Sequence, residues 1–214
     1  MMIGTREGER DVARKSKVEA AQTRKRIVET AAKAFKSNGI DGTGVAEIMS
    51  AAGLTHGGFY RHFESKEQLI AEACASSMEV LNDAAEAAAE KGNAAFLKHL
   101  ESFISTDGHA EYLGGCPLVA MGSELARADI QIRRVVSEGF GKLFDIMVKH
   151  GRIKDSKSAK EDAMFTLSCM VGAVTLARIM DDSKISGQIL AVTKKRLGET
   201  SAPMSKRPAK AKVA

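Results

Sequence analysis

Apolar residues recur three and four apart along most of the chain, the spacing of one face of a helix, and the alternation a strand needs is scarce. Ile27, Ala31, Ala34 and Phe35 mark a first helix from about Ala21 to Asn38, ended by Gly39. Val45, Ile48, Met49 and Ala52 define a short second helix. Gly53 stands where its C-terminus needs a left-handed residue, and Leu54 supplies the apolar contact that follows such a cap. Thr55 can cap a further short segment with Phe59 and Phe63 four apart on one face and His56, Gly57, Tyr60 and Arg61 on the other. Ser65 and Gln68 form a capping box for a long helix from Lys66 to about Glu90, stopped by Gly92.

The second half repeats this pattern at longer range. Asn93 to Ser105 suits a helix, and Pro117 opens the next, since proline fits a first helical position. Asp129 caps one that reaches about His150 with Ile132, Val136, Phe140, Leu143, Phe144 and Met147 inward. Ser158 with Glu161 reads as a capping box for a helix to about Met180, and a last helix spans about Ile185 to Leu197. Between Thr106 and Gly115 the pattern is least regular. The expected fold is therefore all-α.

Composition narrows the picture. The chain has 214 residues, 44% of them hydrophobic, enough for a substantial core. No stretch reads as a membrane span of about 18–20 apolar residues, and the first residues lack the apolar core of a secretory signal. Three widely spaced Cys form neither a disulfide framework nor a zinc cluster, which points to a reducing cytoplasm. Five His show no metal-ligand spacing, and no phosphate loop, paired-carboxylate site or nucleophile elbow is present, so no cofactor, metal or catalytic residue is expected. Charge is uneven. Residues 1–66 carry 12 Lys and Arg against 8 Asp and Glu, and residues 194–214 carry 7 against 1. The middle is net acidic, so the ends are suited to polyanions.

The stretch VAEIMSAAGLTHGGFYRHFESK, Val45 to Lys66, has helix-turn-helix grammar: a second helix that is short, polar outward and small at its start can enter a DNA major groove. It resembles the DNA-binding domain of the TetR family of bacterial repressors. The matching residues are Thr43, Ile48 to Leu54, Gly57, Phe59-Tyr60, His62-Phe63 and Ser65-Lys66-Glu67, and the resemblance runs from about Thr23 to Leu81. Gly44 departs from the family's Ser or Thr; it still serves as an N-cap, without a hydroxyl to touch a phosphate. Gly57-Gly58 weakens the recognition helix by about 1 kcal/mol per glycine against alanine. The organisation expected is a mobile basic arm (1–19), a three-helix DNA-binding head (20–81, motif about 44–63), an effector-binding and dimerisation body (82–197) and a disordered basic tail (198–214).

Candidate DNA contacts are Thr43, Gly44, Thr55, His56, Gly57, Tyr60, Arg61, His62 and Lys66. Tyr60 and Lys66 suit phosphates, with the amides at a helix N-terminus helping Lys66. Thr55, His56 and Arg61 suit base edges, and Arg61 can reach a guanine in bidentate fashion. For His62 a ring partly buried against Phe63 is the equal alternative. An apolar effector pocket is expected among Phe96, Leu100, Phe103, Tyr112, Cys116, Met121, Phe140, Phe144, Met147 and Met164, although each alone also reads as core.

Cys74 and Cys169 read as packing residues. Cys116, before Pro117, falls at a helix N-cap, where free amides favour thiolate; it is either a sensor of electrophiles or oxidants, a use the resemblance supports, or a small residue lining a loop or pocket. The last two helices read either as an ordinary hairpin packed within the chain or, as the resemblance implies, as a dimer interface through Ala163, Leu167, Gly172, Val174, Ile185, Ile189 and Val192. The resemblance implies a cytoplasmic bacterial homodimer, not an enzyme, that represses from a palindromic operator and is released by a small hydrophobic or electrophilic effector. The rivals are a sequence-tolerant architectural DNA binder and a helical enzyme with Cys116 as nucleophile.

Overall fold

Helix α1 (Thr5–Asn38) runs unbroken through the charged start of the chain, well before the expected beginning near Ala21. The reason is visible in the residue types. Arg, Glu, Ala and Lys are good helix formers, and Glu7, Glu9 and Asp11 lie near the N-terminal end of the dipole. Residues 5–19 thus continue the helix instead of forming an unpatterned arm.

The computed structural model describes the backbone of residues 5–105, 116–151 and 156–200, which are helical with no strand. After α1 come α2 (Val45–Ala51), a 3-10 helix (His56–Arg61), α3 (Lys66–Glu90), α4 (Asn93–Ser102), α5 (Pro117–Arg127), α6 (Ile130–His150), α7 (Ser156–Ile179) and α8 (Ser183–Thr200). Tyr112 and most of the expected basic tail lie outside the described residues.

Several ends follow the local chemistry. Gly53 has φ +72°, Leu54 N donates to Met49 O at 2.8 Å, and Gly53 N donates to Ser50 O at 2.9 Å, a Schellman closure of α2. Ser65 Oγ accepts from Gln68 N at 3.2 Å, and Asp129 Oδ1 accepts from Gln131 N at 2.7 Å. The return bond of the first box goes from Glu64 N to Gln68 Oε1 (2.8 Å), one residue earlier than the simple box predicts. Helix α7 begins at Ser156, two residues before the cap expected at Ser158.

A single core runs from head to body along α3. Leu69, Ile70, Ala73 and Cys74 share one buried cluster with α1 and with Phe59 and Phe63, while Met78, Ala85 and Ala89 continue the stripe into the body. Helix α6 lies along α3 more extensively than any other pair of elements meets. A second cluster, Ile104, Met170, Ala173, Val174, Ala177 and Leu190, joins α7 to α8.

Helix α7 corrects two expectations. Over Ser158–Ile179 it is 22 residues with mean hydropathy 1.4, long and apolar enough to cross a membrane, where none was expected. Its inner face carries Ala163, Leu167 and Val174, all buried within the chain, so these three expected interface residues are core. The outer face carries Phe165, Leu176 and Ile179 instead, 49%, 52% and 67% exposed. Of the other expected interface residues, Gly172, Ile185 and Val192 are exposed, and Ile189 is half-buried against the second cluster.

Candidate nucleic-acid interface

The polar face of the motif rests on an aromatic floor. Phe59 and Phe63 are buried and stacked, with centroids 5.4 Å apart and planes 23° apart. Tyr60 meets Phe59 edge-on at 5.2 Å and remains 71% exposed. With one face of the segment anchored, Thr55, His56, Gly57, Tyr60 and Arg61 all stand in solvent. The segment is a 3-10 turn, not an α-helix, in keeping with two adjacent glycines near its start. Gly44 caps α2 with extended backbone and open space around its Cα. His62 is half-buried with its ring 6.5 Å from Phe63.

Two expected contacts hold the turn before α2. Thr43 is fully buried, and its hydroxyl donates to Gly39 O at 2.6 Å, so it fastens the α1–α2 turn and does not face DNA. Lys66 Nζ donates to Ile40 O at 2.9 Å, which makes it a brace between α3 and the same turn. The first amides of α3 are occupied too. Gln68 N is held by Ser65, and the Glu67 carboxyl is kept below its usual range by its own amide and then by the Ser65 hydroxyl.

Two residues that sequence reasoning passed over hold the head in place. Arg24 Nε donates to Glu72 Oε2 at 3.1 Å, and its guanidinium lies 4.2 Å from the centre of the Phe63 ring, so one side chain ties α1 to α3 and to the aromatic floor. Glu124 of α5 accepts from Ile40 N and Asp41 N. Both pairings join residues far apart in sequence, and no local pattern announces them.

In the body, a mostly apolar cavity lies among Leu81, His99, Leu100, Phe103, Cys116, Val119, Met147, Met170 and Val171. It is small, about 40 Å³. Leu100, Phe103, Cys116 and Met147 were expected there. Phe96, Met121 and Phe140 are buried in the main core, Phe144 packs against it, and Met164 is 42% exposed on the outside of α7. His99 also lines this cavity. Its Nε2 is buried without a partner among the described residues, and burial lowers its pKa, favouring the neutral ring.

Cys116 is the N-cap of α5, as expected, but its thiol is not acidified. Burial pushes its pKa up and outweighs the amides of Val119 and Leu118 and the charge of Lys36, all of which act the other way. Burial likewise raises Cys74 to about 11. Alkylation of Cys116 by iodoacetamide at neutral pH should therefore run on the order of a hundredfold slower in the native protein than in denaturant, because it waits on local opening. Mass spectrometry of timed samples measures this, and labelling at the rate of an open thiol would overturn it.

The fold and this exposed face define a helix-turn-helix DNA-binding head carried on a helical body. Residues 27–73 match the family model for bacterial regulatory proteins, tetR family. The head is therefore a TetR-type DNA-binding domain. It is 43% identical over 61 residues to the HTH-type transcriptional regulator AcrR of Shigella flexneri, and 41% identical over 59 residues to TtgR of Pseudomonas putida. Each match covers 28% of this chain and 28% of the relative, so this chain matches less than a third of either relative's length.

The whole fold is shared more widely. A TetR transcriptional regulator from Chloroflexus aurantiacus superposes with TM-score 0.64 at 27% identity, covering 85% of this chain and 96% of that one. The reduced form of Escherichia coli NemR gives 0.71 at 16% identity, covering 83% and 96%.

Proposed function

We propose that this chain is a homodimeric transcriptional repressor acting in the bacterial cytoplasm, which binds a palindromic operator and releases it when a small apolar effector enters the body. One observation carries the DNA-binding part: Thr55, His56, Gly57, Tyr60 and Arg61 share an exposed face above a rigid pair of phenylalanines. Tyr60 sets register on phosphate and Arg61 reads a base edge. His62 and Gly44 flank that face. Lys66 and Thr43 act on it from behind.

Dimerisation would use the outer stripe of α7 with α8: Phe165, Gly172, Leu176 and Ile179 beside Ile185 and Val192. Exposed residues of this size in one band suit a helix-bundle interface, and a twofold axis would set two heads about one DNA turn apart. The effector site would be the cavity behind Cys116. Since it is far below the usual 300 Å³ or more of a ligand pocket, an effector enters by moving its walls. Release by thiol chemistry is disfavoured by the burial and raised pKa of Cys116.

The experiment is fluorescence anisotropy on DNA from upstream of the gene, against scrambled DNA, across a salt series. Arg61→Ala should lower affinity for the specific fragment roughly 5- to 150-fold, as loss of a bidentate base contact implies, with melting unchanged because the residue is exposed. Equal affinity of the parent for both probes, with a steep salt slope, would instead favour an architectural DNA binder.

A further inference from the structure

A carboxylate from the body holds two backbone amides of the head. Ile40 N donates to Glu124 Oε1 at 2.8 Å, and Asp41 N donates to the same oxygen at 3.0 Å. These amides follow Gly39, whose φ is +80°, and successive amides after a left-handed residue form a concavity that binds anions. A Cβ on residue 39 would lie 3.0 Å from Glu124 Oε1, so the glycine also leaves the carboxylate its room. The Ile40 carbonyl is held by Lys66 Nζ. Side chains from α5 and α3 thus fix both polar groups of Ile40, in the turn that aims the motif.

The other end of α5 borders the cavity. Cys116 caps the helix and Val119 lies in its first turn, and both line that space. The 11-residue helix is a rod about 16 Å long that packs on α1 and on α7, touching the cavity near one end and carrying Glu124 near the other. A cavity of about 40 Å³ admits no sizeable occupant until a wall yields. We propose that Glu124 is a positioning residue coupling the cavity to the DNA-binding head. Displacement of α5 by an occupant draws the carboxylate off the Ile40 and Asp41 amides, and the α1–α2 turn loses its orientation. The DNA side of this proposal rests on the regulator reading; the state of the two amides does not.

Amide hydrogen exchange and operator binding of the full chain test it together. Glu124→Ala should speed exchange at Ile40 and Asp41 roughly tenfold, the effect of losing a hydrogen bond to a charged group, and weaken operator binding several-fold. Glu124→Gln keeps an acceptor oxygen and should fall between. As a surrogate occupant, Val171→Phe fills the cavity from the α7 side, with Val171→Leu as the milder filler; both should speed the same amides and weaken binding. Added to Glu124→Ala, they should change neither readout further.

The proposal is overturned if Glu124→Ala leaves the two amides at the parent rate. It is also overturned if the fillers leave them untouched, or weaken binding equally in both backgrounds. If the parent binds no operator fragment, the regulator reading fails, and the exchange measurements still decide whether Glu124 links cavity and turn.

Discussion

Phe59→Ala is expected to abolish operator binding and to lower the melting temperature. Phe59 is 1% exposed, stacks on Phe63, and its carbonyl accepts from His62 N and Phe63 N at 2.8 and 3.0 Å. Truncating a buried phenylalanine costs about 3–5 kcal/mol, because the cavity left behind does not fully close. Domains of this kind have about 5–15 kcal/mol in total, so the loss is large. At about 2–4 °C per kcal/mol for a chain of this size, melting should fall by roughly 6–20 °C. The recognition segment suffers first, since two glycines give its backbone little tendency to remain helical without the aromatic floor. Circular dichroism melting and anisotropy read both effects. Parent-like values of both would show that the segment is held by something other than the stacked pair.

Gly139→Ala and Gly141→Ala should move stability in opposite directions, although the two glycines lie in the same helix. A Cβ at 139 would stand 2.6 Å from Met78 Cβ and 2.7 Å from Met78 Cγ. Met78 Cβ is fixed to the α3 backbone, so no rotamer relieves the clash and the helices must part. Parting them also strains the bond from Asn82 Nδ2 to Gly139 O, now 3.1 Å. Overpacking of this kind costs about 1–3 kcal/mol, more than the roughly 1 kcal/mol alanine gains over glycine in a helix. Gly141 is exposed with open space about it, so alanine there keeps the gain alone. Urea midpoints below the parent for the first and above it for the second are the expected pair. A rise at both positions would mean that α3 and α6 are not in close contact at this point.

The sequence made the helices of the head legible because their signals are local. Gly53 after an apolar repeat, Ser65 before Gln68, and Phe59 four before Phe63 are each readable within a single turn of chain. The face of α7 was not legible in the same way. That helix is apolar on two sides, so periodicity identifies stripes without saying which turns inward; Ala163, Leu167 and Val174 face the core, and Phe165, Leu176 and Ile179 do not. Thr43 was misread because the hydroxyl that suits a phosphate also suits the carbonyl of Gly39. Cys116 lay where expected, yet desolvation, a property of everything folded around it, outweighed the helix end. Arg24 and Glu124 find their partners 48 and 84 residues away, and nothing in a short window reports such pairings.

The outer stripe of α7 has a consequence for dosage. If two copies bury that stripe against each other, folding and assembly share one equilibrium, and apparent stability rises with protein concentration. Occupancy of a two-half-site operator then depends on roughly the square of protomer concentration wherever monomers predominate. Well below saturation, halving the number of copies in a cell would cut operator occupancy to about a quarter, and the switch would sharpen with no change at either binding site.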